Sequence, residues 1–194
     1  MPRIAIVGNA PLRIDHTTRI DTADKVVRFN NTAGLNGPAG RRTDQLWLVN
    51  RGGQAAEWLA DPAFWRRPIF ATLREVVLPL PADAGGSAQT SGDPGARDHS
   101  RAIGQRLAGL DIAVRQMPTD LVRRARRVLC GLGSHRSLVA PSTGFLAMLH
   151  FADSDMLLDL YGFGFDGWDG HDWAQERAWA HGMVRAGRAV LNPP

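Results

Sequence analysis

Four short stretches of the chain carry residue types that could hold an anion or move a proton. Ser142-Thr143-Gly144 stands ahead of an apolar run, so hydroxyls, a residue without a side chain and unbonded backbone N–H groups meet at a helix start. Phosphate or carboxylate suits such a turn; an ordinary N-cap is the plainer alternative. Asn follows three apolar runs, in Gly8-Asn9, Asn30-Asn31 and Asn50-Arg51, and the segment Gly162 to Gly164 follows a fourth. Each Asn taken singly reads as a turn cap. Together they read as donors and acceptors converging on the sugar or base of a nucleotide. His171 opens a helical segment, where the helix dipole disfavours imidazolium and favours the neutral ring that can take a proton from a hydroxyl. A simple capping role is the alternative. Glu176 follows five residues later, a spacing that does not oblige the two to share a helical face.

Other patterns resolve less favourably. Gly162-Phe163-Gly164-Phe165-Asp166-Gly167 matches G-x-G-x-x-G after a strand. A dinucleotide fold also needs a following helix and strand with an acid about 20 positions on. The chain after Gly167 reads as one helix and a tail, so a nicotinamide cofactor is not expected. Asp166, Asp169 and Asp172 flank His171 without a recognised ligand spacing, and no metal is expected. Cys130 has no catalytic neighbour in sequence and reads as a buried structural thiol.

The elements that must position these residues are legible as alternating runs. Strands are expected at Arg3 to Val7, Asp24 to Asn30, Gln45 to Val49, within Ile69 to Leu78 (EVVLPL), at Asp111 to Arg115 and at Met156 to Tyr161. Helices are expected at Gln54 to Leu59, Arg97 to Leu110, Pro118 to Leu129, Ser142 to Phe151 and His171 to Gly187. The fold class is therefore α/β, a Rossmann-like three-layer sandwich with a mainly parallel central sheet. Residues 81–96, PADAGGSAQTSGDPGA, have the composition of a flexible loop or substrate lid, and the whole of 1–194 reads as one domain.

Bulk composition bounds the partners. Apolar residues make up 44% of the chain, ordinary for a globular fold, and the net charge of +4 rests almost wholly on Arg, with Lys25 the sole lysine. Arg excess suits phosphate-bearing ligands or anionic headgroups, so peripheral membrane association stays open. The Arg residues are scattered without an aromatic RNA-binding signature, and nucleic acid is not expected. A single cysteine, no leader-like N-terminus and no long uncharged apolar run point to a cytoplasmic protein without a membrane span.

Read jointly, these segments resemble glycosyltransferase family 29, the sialyltransferase family. IAIVGNAPLR, IDTADKVVRFNNTAG and GRRTDQLWLVN, within residues 4 to 50, are similar to its long motif. PSTGFLAMLHFADSDMLLDLYGFG, residues 141 to 164, is similar to its short motif, and HDWAQE, residues 171 to 176, to its very short His/Glu motif. The resemblance implies a GT-A-variant sialyltransferase-like fold and a metal-independent, inverting transfer from a CMP-activated acidic 2-keto sugar to a glycan or glycolipid hydroxyl. It implies that Asn9 and Asn30 hold the cytidine nucleotide, that Ser142, Thr143 and Gly144 contact the donor's phosphate or carboxylate, that His171 is the base and that Glu176 supports it. Gly8, Asn50 and Gly164 complete the donor-binding candidates on the strand-end rule. The chain departs from the family in having Ile4 where a cysteine is usual, no cysteine in the short motif, and only FDGWDG between Gly164 and His171, where an aromatic third motif with a second His is usual.

Overall fold

A strand covered on both faces has no exposed side to fill with polar residues, so the near-continuous apolar runs become the centre of a parallel sheet. The computed structural model describes residues 1–82, 97–133, 140–192 and 194. Its strands are β1 (Arg3–Val7), β2 (Lys25–Phe29), β3 (Gln45–Trp47), β4 (Glu75–Leu78), β5 (Ala113–Gln116), β6 (Leu157–Tyr161) and β7 (Ala189–Asn192). They form one seven-stranded sheet in the order β5-β4-β3-β2-β1-β6-β7, with every pairing parallel. Ile4 and Ile6 of β1, with Leu158 and Leu160 of β6, face a layer of α5 (Thr119–Gly131), α6 (Thr143–Phe151) and α7 (Trp173–Arg185). Ala5, Val7 and Tyr161 face the opposite layer under α1 (Thr17–Asp21). Leu46, Val76 and Leu78 pack on that same side against α2 (Gly53–Ala60), α3 (Ile69–Thr72) and α4 (Ser100–Ala108). The three-layer α/β sandwich is thus as the sequence pattern requires.

The strand order runs outward from β1 to β5 and returns to β6 on the other side of β1. That reversal is the topological switch of the sheet, the place where open α/β folds form a crevice at the strands' carboxyl ends. Here the segments that leave β1 and β6 zip together beyond the sheet. Gly8 N–H donates to Tyr161 O (2.7 Å) and Ala10 N–H to Gly162 O (3.0 Å). A Cβ on Gly8 would lie 2.3 Å from Gly162 O, and Gly162 itself has φ +63°. Both positions therefore need glycine.

Two buried charges fix the opposite layer. Asp159, fully buried on β6, accepts from Arg3 Nη1 (2.8 Å) and Arg19 Nη2 (3.1 Å). Arg28, equally buried on β2, donates from Nε to Arg42 O (3.0 Å) and from Nη2 to Ala39 O (2.6 Å). Burial pulls the Arg28 guanidinium down to about 10, still far above neutrality. The charged fork thus holds the Gly- and Asn-rich loop after β2 against the sheet.

The structure departs from the sequence expectation in identifiable places. The expected strand EVVLPL, residues 75–80, is found but ends two residues early, as β4, and ahead of it Pro68 caps the one-turn helix α3. The fifth strand is Ala113–Gln116 rather than 111–115, because Asp111 turns the chain with φ +56°. The tail after α7 is the edge strand β7, paired from Leu158↔Ala189 to Tyr161↔Asn192. A helix and a strand therefore do follow Gly167. The dinucleotide reading still fails, since α7 begins only at Trp173 and β7 (AVLN) carries no acid. Cys130, expected buried, is exposed on α5. The loop expected at 81–96 lies, beyond Ala82, outside the described residues.

The glycine geometry gives a paired stability prediction. Gly8→Ala should cost about 3 kcal/mol, because the obstacle is backbone that cannot swing aside. Gly104→Ala, inside α4 with nothing within 4 Å of an added Cβ, should stabilise by about 0.5–1 kcal/mol. Urea unfolding of the two variants measures both; equal effects would refute the assignment of Gly8 to a close backbone approach.

Candidate active site

The Asn residues after β1, β2 and β3 share one local task. Asn9 donates from Nδ2 to Phe29 O (3.3 Å) and accepts at Oδ1 from Ala33 N–H (2.8 Å), joining the end of β1 to the end of β2. Asn30, at φ +48°, accepts from Val49 N–H (3.0 Å), joining β2 to the chain after β3. Asn50 accepts from Leu80 N–H (3.0 Å) and donates to Leu80 O and Ser100 Oγ (both 2.8 Å), joining β3 to the chain after β4. Each amide stitches a strand end to its outward neighbour. Asn50 is fully buried with its oxygen and nitrogen both engaged, so it leaves the set of ligand candidates. Asn9 and Asn30 lie less buried at the carboxyl edge.

Phe163 connects this edge to the helix layer. Its ring meets Phe29 edge-on (centroids 6.1 Å apart) and lies against α6, where a Cβ on Gly144 would be 2.9 Å from Phe163 Cε1. Gly144 is thus glycine because an aromatic wall abuts the helix end. At that end Ser142 is the N-cap: its Oγ accepts from Phe145 N–H (3.0 Å) and its carbonyl from Leu146 N–H (3.0 Å). The earlier N–H groups, of Thr143 and Gly144, precede the first intrahelical acceptor and point out of the helix at its positive pole. Gly164, on the β6 side, accepts from Arg177 Nη2 (2.9 Å) through its carbonyl, and the Asp166 carboxylate folds over it.

The start of α7 grips the lead-in of α6 at two points. His171 donates from Nδ1 to Ala140 O (2.5 Å). Glu176, 1% exposed, accepts at Oε1 from Ser142 N–H (2.8 Å) and at Oε2 from Ser142 Oγ (2.6 Å). The helix begins at Trp173 rather than His171, because Asp172 caps it by accepting from Gln175 N–H (3.4 Å). The neutrality expected of His171 therefore has a different cause: burial lowers its pKa, with the Ala140 carbonyl opposing. With Nδ1 protonated towards that carbonyl, Nε2 keeps its lone pair. The rings of Trp168 and Trp173 stand edge-on to the imidazole, at 4.9 and 4.8 Å between centroids. Burial pushes the Glu176 carboxyl up to about 7, against the downward pull of the Ser142 donors.

The candidate residues thus lie along one edge of the fold, though Asn50 is buried there, Gly8 serves through backbone packing and Ser142 spends its hydroxyl on Glu176. A cavity of about 390 Å³ lined by Arg115, Met117, Arg124 and His150 lies by the C-terminal end of α6 and includes none of these residues. Sequence reasoning missed Phe163, Arg177 and Ala140. An aromatic between two glycines was a usable signal for the first; the third acts through its carbonyl, which no side-chain pattern reports. Among the described residues no group of three His, Cys, Asp or Glu is placed to hold a metal ion, and no helix is long and apolar enough to cross a membrane.

No family model matches the chain. It is similar to the urease operon 23 kDa accessory protein of Rhizobium meliloti (strain 1021), 26% identical over 201 residues, which span 95% of this chain and 90% of the relative. Among solved structures it is similar to a mammalian sialyltransferase in complex with Gal-beta-1-3GalNAc-ortho-nitrophenol, with TM-score 0.56 and 19% identity over 98% of this chain and 69% of the other. A second mammalian sialyltransferase structure gives TM-score 0.57 and 18% identity, covering 98% and 68%. The fold is therefore similar to that of sialyltransferases.

The Glu176 clamp predicts a pH dependence of stability. The folded-state pKa of about 7 stands above the ordinary glutamate value of 4.5, so between these values the unfolded chain holds fewer protons than the folded one. Stability should fall as pH rises from about 4.5 to about 7, by up to about 3 kcal/mol from this group. Glu176→Gln, which mimics the protonated acid, should flatten that segment. Denaturant unfolding of both proteins across the window tests it; parallel profiles would exclude Glu176 as the source.

Proposed function

We propose that the protein is a glycosyltransferase that moves an acidic 2-keto sugar, of the sialic acid or Kdo type, from its CMP ester to a hydroxyl of a glycan or glycolipid. The observation that carries this reading is the meeting of His171 with the Ala140–Gly144 turn, which sets a proton-accepting nitrogen beside a helix end suited to a phosphate. In the proposed reaction the cytidine nucleotide lies along Asn9 and Asn30. The Thr143 and Gly144 N–H groups take the phosphate. Nε2 of His171 receives the acceptor's hydroxyl proton while the hydroxyl oxygen forms a bond to the anomeric carbon. The bond from that carbon to the phosphate oxygen breaks, CMP leaves with the electron pair, and the configuration inverts. The growing negative charge on the leaving phosphate is met by the positive pole of α6, so the reading needs no metal or other cofactor.

The sialyltransferase-like fold supports the reading, as does the Gal-beta-1-3GalNAc-ortho-nitrophenol bound in one of the neighbouring structures. A cytoplasmic site of action, on a precursor carried at the membrane surface, belongs to the same proposal. A second reading, a CMP-binding module without catalysis, draws on the segment FDGWDG, which supplies no second His to protonate the leaving group. The two separate on turnover.

His171→Ala should lower transfer from CMP-sialic acid or CMP-Kdo by at least about 1,000-fold and leave CMP affinity by calorimetry within about twofold. Retained transfer would remove His171 from the mechanism; CMP binding without turnover in the wild type would favour the binding module; preference for UMP, GMP or AMP would refute the donor. Because burial lowers the His171 pKa, the acid limb of kcat/KM should lie below the ordinary histidine value of about 6.5. A limb at or above that value would contradict a buried, neutral base.

A further inference from the structure

Trp168 is 66% exposed, whereas Trp47, Trp58 and Trp65 are buried and Trp173 and Trp179 partly so. Exposure of one indole is ordinary in itself; what distinguishes this one is where it is held. A Cβ on Gly170 would lie 2.2–2.4 Å from three atoms of its six-membered ring, so the chain has glycine where the ring folds back. Its carbonyl accepts from His171 N–H (3.2 Å) and from Trp173 Nε1–H (3.1 Å), which ties its backbone to the base and to the start of α7. Its ring stands at 88° to the His171 imidazole with centroids 4.9 Å apart. A solvent-facing aromatic thus stands against the imidazole assigned to take a proton.

On the glycosyltransferase reading above, we propose that Trp168 is the platform for the acceptor sugar. It takes a neutral pyranose with an unbroken C–H face, as β-galactosides have, and presents one of its hydroxyls to His171. The C–H bonds of such a face are weakly positive and apolar, and the aromatic face is weakly negative, so the two stack with both burial and electrostatics favourable. The carboxylates Asp166, Asp169 and Asp172 surround the same turn, which disfavours an anionic acceptor there. A preorganised ring loses little entropy on binding, and its fixed distance to the base turns stacking into orientation of the reacting hydroxyl.

The test uses the full chain with lactose as acceptor and saturating CMP-sialic acid. Trp168→Ala should raise the lactose KM at least about tenfold, Trp168→Phe should restore most of the loss, and CMP affinity should be unchanged in both, showing that the variants fold. Saturation-transfer NMR of lactose with CMP present reads the contact without turnover: the galactose H3, H4 and H5 signals should be strong in the wild type and lost in Trp168→Ala. An unchanged KM and unchanged NMR signal in Trp168→Ala would overturn the platform while leaving the transferase reading intact. Wild-type NMR contact that needs Trp168, in a protein with no turnover, would sustain the platform and sink the catalytic reading. Loss of co-sedimentation with phosphatidylglycerol vesicles in Trp168→Ala, with lactose contact unaffected, would reassign the indole to a membrane surface and overturn the proposal. Absence of lactose contact in the wild type would overturn it as well.

Discussion

The carboxylate of Glu176 against Ser142 is the interaction on which the site rests. A buried acid accepting both the backbone N–H and the hydroxyl of one residue fixes where α6 begins, and with it the direction of the helix's free N–H groups. The same grip brings the chain just before α7 alongside Ala140, so that the imidazole finds a carbonyl instead of a carboxylate to orient it. Burial of both groups decides their chemistry. For His171 it favours the neutral ring, and for Glu176 it favours the acid form. The proposed anion pocket and base are thus held together where the start of α7 meets the lead-in of α6, on the same face of the sheet.

The carboxyl edge of the sheet is built from a different economy of groups. Net contributions near 1 kcal/mol per hydrogen bond would be modest singly, yet Asn9, Asn30 and Asn50 each bridge a strand end to the next and so set the height of three successive loops. At the switch between β1 and β6 the same end is closed by glycine-only backbone contact. The edge is therefore stiff where a nucleotide would lie, and the variable chemistry is left to the turn between Gly164 and His171.

Much of this was legible in the sequence, for physical reasons that differ from residue to residue. Buried parallel strands such as β1 and β6 leave continuous apolar runs, and Ser142 announces a helix start through its capping chemistry. The pairing of Ser142 with Glu176 was not legible from periodicity, because two residues on separate helices meet only through tertiary packing. β7 was read as a tail because four residues ending in Asn192 ahead of proline carry too little pattern to compete with coil. Cys130 was expected inside on the usual preference of thiols, but it falls on the outer face of α5, where Leu121, Val122, Ala125 and Leu129 already form the buried stripe. Asn50 shares with Asn9 and Asn30 a place after a strand and a stitching role; only its depth of burial, which no sequence pattern reports, sets it apart.

The sheet's central strand has a temporal consequence. β1 takes β2 on one side and, on the other, β6, with Arg3 opposite Leu157. During synthesis β1 must keep one edge unpaired until β6 has been made, and the helix pair that frames the imidazole is completed later still, by α7. Contacts so distant along the chain slow folding and leave an apolar edge open to wrong partners. A nascent chain of this topology therefore leaves that edge of β1 open throughout the interval between making β1 and completing β6.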